Sequence, residues 1–434
     1  MDNAISHSSV SAPVANHTIP PQASAPVEFP PEIWREIAAV ASADSVLTLR
    51  QVSRDMRSVV DSLDQADLNR INQGTDSTVD LYSSDDGVRS VTRNPATQSV
   101  MARAENILPA LQEFFAHSNN ANIRWHLARN PSLSSEAAQQ TLTQDLDEWV
   151  RGALALNPSL SSEPRQQTLA QDQSKRVREA LARNPSLSSE AAQQTLAQDL
   201  GAVVRSYLAG NPSLSSEVAQ QILAQDLNAM VRGYLARNPS LSSEARQEVL
   251  SQDQYASVRR DLAGNPSLIS DARQQTLAQD QNAEVRRHLA GNPSLISDAR
   301  QQILAQDQNA DVRAALAGNP SLTSEARQEA LAQDRDEWVR SNLARNPSLT
   351  SDARQEKLAQ DPNRRVRAAL ARNRSLTSAR QERLARDQDT AVRRDLARNP
   401  SLTSTVQQIL AQDQDVRVQL LLREELSWLT ARRR

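Results

Sequence analysis

The chain has 434 residues, only 3% of them aromatic, and a mean hydropathy of −0.60, which speaks against one large globular core. Nine glycines, five histidines and no cysteine leave little material for a phosphate loop, a thiol nucleophile or a Cys/His metal site, so neither catalysis nor a cofactor is expected. A net charge of −3 with both signs spread along the chain argues against a global basic field for nucleic acid and against an acidic tail.

Residues 1–27 are rich in Ser, Pro and Ala and hold no Lys or Arg, so they lack the basic start of a Sec signal peptide. No stretch of the chain reaches the roughly 20 apolar residues that span a bilayer. With so little apolar surface to bury, the leader is expected to be disordered. Its composition resembles the leaders of bacterial type III secretion substrates, with an ordinary flexible tail as the alternative.

Residues 28–63 contain the only other patterned stretch upstream of the repeats, beginning "FPPEIWREIAAV". Pro30 or Pro31 opens a helix with Ile33, Ile37 and Val40 on one face, and a second helix carries Val46, Leu49, Val52 and Met56. So small a unit usually needs a partner to be stable. These residues resemble an F-box, whose opening Leu-Pro-x-Glu-Ile is matched by Phe29, Pro30, Pro31, Glu32 and Ile33. Its later Leu-rich run with Val-Ser-Arg is matched by Val46, Leu47, Leu49, Val52, Ser53 and Arg54. The resemblance implies a three-helix fold that docks on the Skp-type adaptor of a cullin ubiquitin ligase through Phe29, Pro30, Ile33, Ile37, Val46, Leu47, Leu49, Val52 and Met56. Met56 stands where that family has tryptophan, and Phe29 where it has leucine. A helical hairpin that merely caps the repeats is the alternative.

Residues 64–120 read as a linker and a degenerate capping repeat, with Val88-Arg89 and Asn94-Pro95 as its remnants. From Asn130 an Asn recurs every 27 residues, at Asn157, Asn184, Asn211, Asn238, Asn265, Asn292, Asn319, Asn346 and Asn373, and once more at Asn399, one residue early. Periods of this size mean a solenoid whose units bury their apolar faces against one another.

One copy, "NPSLSSEVAQQILAQDLNAMVRGYLAR" from Asn211, reads as two short helices. Ser216 is the N-cap of the first, with Glu217 at its positive end, and the copy with Pro164 still fits a first turn. Leu214, Leu223, Val231 and Leu235 are the core letters, and Asn238-Pro239 stops the second helix. Asp226 and Arg232 have counterparts in every copy, so stacked units would set two parallel rows of charge, bonded within or between repeats.

The letters "VRxxLAxNP" resemble the leucine-rich repeat variant family over residues 121–417, and the Asp-to-Val-Arg approach is shared with HEAT repeats. That implies an all-α, right-handed solenoid with alternating α- and 3₁₀-helical layers. The unit is a few residues longer than is usual there and has "LSSE" for "LPPE", which points instead to two α-helices per repeat. Residues 418–434 break the pattern and would cap the end.

Function should lie in exposed letters that change between copies. The position before each "VR" valine and the one three after it lie four apart on one side of the second helix. They supply Trp149, Val203, Tyr207, Met230, Tyr234, Asp261, Glu284, His288 and Trp338, with Tyr207 and Tyr234 as anchors and Asp261 and Glu284 selecting a basic neighbour.

The sequence therefore reads as a bacterial effector, secreted into a host cell, that presents a bound host protein to the host's own ligase, resembling F-box effectors of plant-associated bacteria. A binding scaffold without a ligase link is the alternative, and a nucleic-acid binder using the "LARN" arginines a weaker one. Only Lys175 and Lys357 are lysines, which reflects either GC-rich codon usage or a receptor with few amines to be tagged.

Overall fold

A computed structural model describes residues 102, 103, 107 and 109–432, and the leader and the F-box-like segment lie outside the described residues. The chain divides into two units, Met1–Ala138 and Gln139–Arg434. In the described part of the first, helices Pro109–Ala116 and Ala121–Ala128 bury Leu111, Phe115, Ile123 and Leu127. The second unit is a stack of helix pairs, and among its described residues there is no strand. Both helices of each repeat are α-helical, as in Glu217–Ala224 followed by Ala229–Arg237. This matches the expectation drawn from the longer unit, and among the described residues there is no alternation of α- and 3₁₀-layers.

The caps explain the boundaries. Ser216 has extended backbone geometry and its hydroxyl accepts from the Ala219 amide, and Pro164 occupies the first turn of Glu163–Ala170. The second helix starts on Asn228, whose side chain accepts from the Met230 amide, and stops at Asn238. Leu214, Leu223, Val231 and Leu235 are all buried. With no large side chains in the frame, this thin core relies on stacking against the next copy.

Three polar ladders join the copies. In the first, Arg205 grips Asp226 of the next repeat with two bonds, Nε to Oδ2 at 2.5 Å and Nη2 to Oδ1 at 3.1 Å, while Nη1 donates to the Asp199 carbonyl of its own repeat. The same bridge recurs from Arg151–Asp172 to Arg393–Asp413. The charge rows are thus bonded both ways, by carboxylate between repeats and by carbonyl within one. At the end of the array Gln419 takes the arginine's place and still donates to the Asp413 carbonyl at 2.7 Å.

In the second ladder Asn211 donates to the Ala182 and Asn184 carbonyls of the preceding repeat and accepts from the Ser213 amide. The third uses Gln193, which donates to the Leu187 and Ser213 carbonyls and accepts from the Ser215 and Ser216 amides. Both side chains are buried, and an amide offers the donor and the acceptor that a tight, water-free loop requires.

The Arg–Asp ladder fixes a pH signature. Burial pushes the Asp307 carboxyl up, but the Arg286 guanidinium and the Asn309 amide outweigh it and hold it below the ordinary value. A carboxylate depressed in the folded state contributes stability that is complete above the unfolded value, near 4, and lost as pH falls through the folded one. Asp307→Asn should therefore lower the melting temperature by a constant amount above about pH 5, and this difference should shrink as pH falls below about 4. A difference that grew on acidification would contradict the assignment.

Candidate protein-binding face

Letters that build the ladders are shared by the copies, so the face is defined by the letters that are not. On the second helices Met230 is 63% exposed, Trp149 54% and Trp338 57%, with Val203 and Tyr234 also exposed. These side chains do not widen the core between helices. Each tryptophan is overlain by an arginine one repeat ahead, Arg176 at 3.5 Å from the Trp149 ring and Arg365 at 5.6 Å from that of Trp338.

The position three after the valine meets the residue that precedes the Asn of the copy before. Tyr207 is half-buried under Arg183, at 3.6 Å. Tyr234 lies over Gly210, where a first side-chain carbon would sit 3.4 Å from the ring, and His288 lies likewise over Gly264. Burial, then Arg287 and Arg260, lower the His288 pKa. Asp261 behaves differently from the sequence reading. It is 9% exposed and bonded by Arg237 and Arg260, each at 2.9 Å, so it is withdrawn from the surface. Glu284 remains exposed, and its hydrogen bond from Arg287 holds its carboxyl below the usual range.

Sequence reasoning missed the most exposed apolar side chains. Leu146, Leu200 and Leu227 are each 99% exposed, four residues ahead of their valines, and Tyr255 is exposed at the start of the following helix. A signal was present, because Gln173, Gln254, Gln281 and Gln308 hold that position in other copies. Repeats 204 and 231, named by their valines, therefore set Leu200, Val203, Leu227, Met230 and Tyr234 on two consecutive copies.

Several of the arginines that suggested a phosphate-tracking row are exposed but engaged by side chains of a neighbouring repeat. Arg183 covers Tyr207, Arg237 bonds Asp261, and Arg372 bonds Asp395 at 2.7 Å. A second arginine row, on the first helices, is neutralised by acids one repeat back, as in Arg300–Asp271 at 2.5 Å. A cleft of about 730 Å³ lined by Asp361, Arg367 and Asp387 is part of the Arg–Asp ladder. Among the described residues no three His, Asp or Glu cluster as a metal site, and no helix is long and apolar enough to cross a membrane.

No family model matches the chain, and no curated protein does. Among solved structures it is similar to a leucine-rich repeat variant described as having a novel repetitive structural motif, at 22% identity over 52% of this chain and 87% of that one, with a TM-score of 0.36. It is also similar to a chain from work on a phosphorylation switch controlling the interaction between cadherin and β-catenin, at 11% identity over 91% and 95%, with a TM-score of 0.29. A computationally designed armadillo repeat protein for modular peptide recognition is matched at 14% identity over 67% and 97%, with a TM-score of 0.12.

Proposed function

We propose that the chain is a non-enzymatic receptor that binds a protein partner across the second helices of its repeats and presents it to a cullin ubiquitin ligase. The observation that carries the binding half is the row of exposed apolar side chains, Leu200, Val203, Leu227, Met230 and Tyr234, mounted on a frame whose own polar groups are bonded between copies. Surfaces of this kind, apolar at the centre and polar around it, are typical of protein interfaces. The ligase half rests on the F-box resemblance of residues 28–63, and delivery into a host cell on the leader.

The expected partner of residues 28–63 is the host Skp-type adaptor. Pro30→Ala with Ile33→Ala should abolish co-purification with that adaptor and leave the helical circular dichroism of the array unchanged. Undiminished adaptor capture by this double variant would remove the ligase link and leave a binding scaffold. Leu227→Ser with Met230→Ser should do the reverse, losing the presented protein while retaining the adaptor.

A further inference from the structure

One position on the second helices changes character steadily along six consecutive copies. The residue before the valine is Arg176, Val203, Met230, Ser257, Glu284 and then Asp311. Arg176, Val203, Met230, Glu284 and Asp311 are all exposed. The stripe is therefore basic at one end, apolar at its centre and acidic at the other.

Neighbouring charges do not cancel this order. At the basic end Lys175 is paired with Glu179, but Arg176 faces the Trp149 ring and Arg183 the Tyr207 ring, and an aromatic face leaves a guanidinium its full charge. At the acidic end Arg287 is bonded to Glu284 and also feels Asp311, so two carboxylates share one guanidinium. In the middle Asp261 is shared by Arg237 and Arg260, so the surplus there is one positive charge, ahead of Glu284 and Asp311 in the array.

We infer that the stripe takes an extended protein segment that is acidic at one end, apolar in the middle and basic at the other, and holds it in one direction, with the acidic end on the repeat of Arg176. Charge complementarity sets the ends, because reversing the segment would oppose like charges at both. Packed helices lie about 9 Å apart, so five repeat steps span about 45 Å and match about 14 residues of extended chain. Leu200 and Leu227 extend the apolar centre toward the start of the helices, where the segment's middle would lie. The inference rests on reading the second helices as the binding face, and the following experiment separates the two.

The chain has no cysteine, so single thiols can be placed at will on the exposed Gln173 and Gln308. The probe is a synthetic peptide of about 14 residues, Asp/Glu at one end, Leu/Val in the middle and Arg at the other, with a bromoacetyl group on its acidic end. Gln173→Cys should be labelled about tenfold faster than Gln308→Cys, a ratio worth about 1.4 kcal/mol. Arg176→Glu combined with Glu284→Arg and Asp311→Arg should invert the preference. Leu227→Ser with Met230→Ser should abolish labelling at both thiols. Equal labelling of the two thiols that is still lost with the serine pair would overturn the direction and keep the face. Labelling indifferent to the serine pair would overturn both.

Discussion

Asn238→Asp should cost the array about 3–5 kcal/mol, well beyond the effect of most single substitutions. Asn238 is 2% exposed, and its amide nitrogen donates to the Ala209 carbonyl at 2.7 Å and to the Asn211 carbonyl at 2.8 Å, both in the preceding repeat. Its oxygen accepts from the Ser240 amide. Aspartate keeps the shape and that one acceptor but turns an oxygen toward two carbonyls, replacing two hydrogen bonds by repulsion in a buried site. Asn238→Ala removes the same donor without adding charge, so it should cost less. Because a repeat array is stabilised by nearest neighbours, the damage should be local. Amides of Ala202–Ala209 and Ala229–Arg237 should lose hydrogen-exchange protection while those of Arg364–Ala371 retain theirs. An unchanged melting profile would show that the ladder carries no weight.

The recurrence of this asparagine was plain in the sequence, but its role was not. Within one copy Asn238-Pro239 reads as a helix stop, and it is one, with the helix ending at Arg237. The bonds that make Asn238 buried run 27 and 29 residues back, and no pattern inside a copy can show them. The arginine ladder met the same limit. Arg232 lies six residues after Asp226 and twenty-one before Asp253, and strict repetition makes both spacings equally regular. The structure uses both, the carbonyl of Asp226 and the carboxylate of Asp253. The core letters and the Ser216 cap were legible because they depend on helical period and capping, which are local.

Of the candidate face, the residues before the valines were read correctly as exposed, since Trp149, Val203, Met230 and Trp338 all reach solvent. Asp261 was misread because its surroundings come from another copy. Arg237 lies 24 residues back, and Gly233 lets the carboxylate in, a first side-chain carbon there being only 3.0 Å from Asp261 Oδ2. The acid left for a partner at this level of the array is Asp311 together with Glu284. That substitution moves the acidic end of the face further from the apolar centre than the sequence alone suggests.

Arg259→Leu should be nearly as damaging as Asn238→Asp, and its effect on binding should depend on which end of the partner is followed. Arg259 bonds Asp280 with Nε to Oδ2 at 2.5 Å and Nη2 to Oδ1 at 3.0 Å, and donates from Nη1 to the Asp253 carbonyl at 2.6 Å. Leucine would leave the Asp280 carboxylate shielded from water with only the Asn282 amide as donor, a loss of about 3–5 kcal/mol. Asp280→Asn should cost less, since the arginine keeps its carbonyl and some solvent. The double variant should be more stable than Arg259→Leu alone, because the uncompensated charge is gone. Lysine at 259 should not restore stability, since it cannot make the paired bonds of a guanidinium. The weakened junction lies between the repeats of Val258 and Val285, which separates Val203 and Met230 from Glu284 and Asp311. The bromoacetyl peptide should therefore still label Gln173→Cys through its acidic and apolar parts, but its affinity should become less sensitive to Asp311→Arg. Wild-type stability in Arg259→Leu would show that solvent reaches Asp280 and that the arginine ladder adds nothing to the asparagine and glutamine ladders and the apolar contacts between copies.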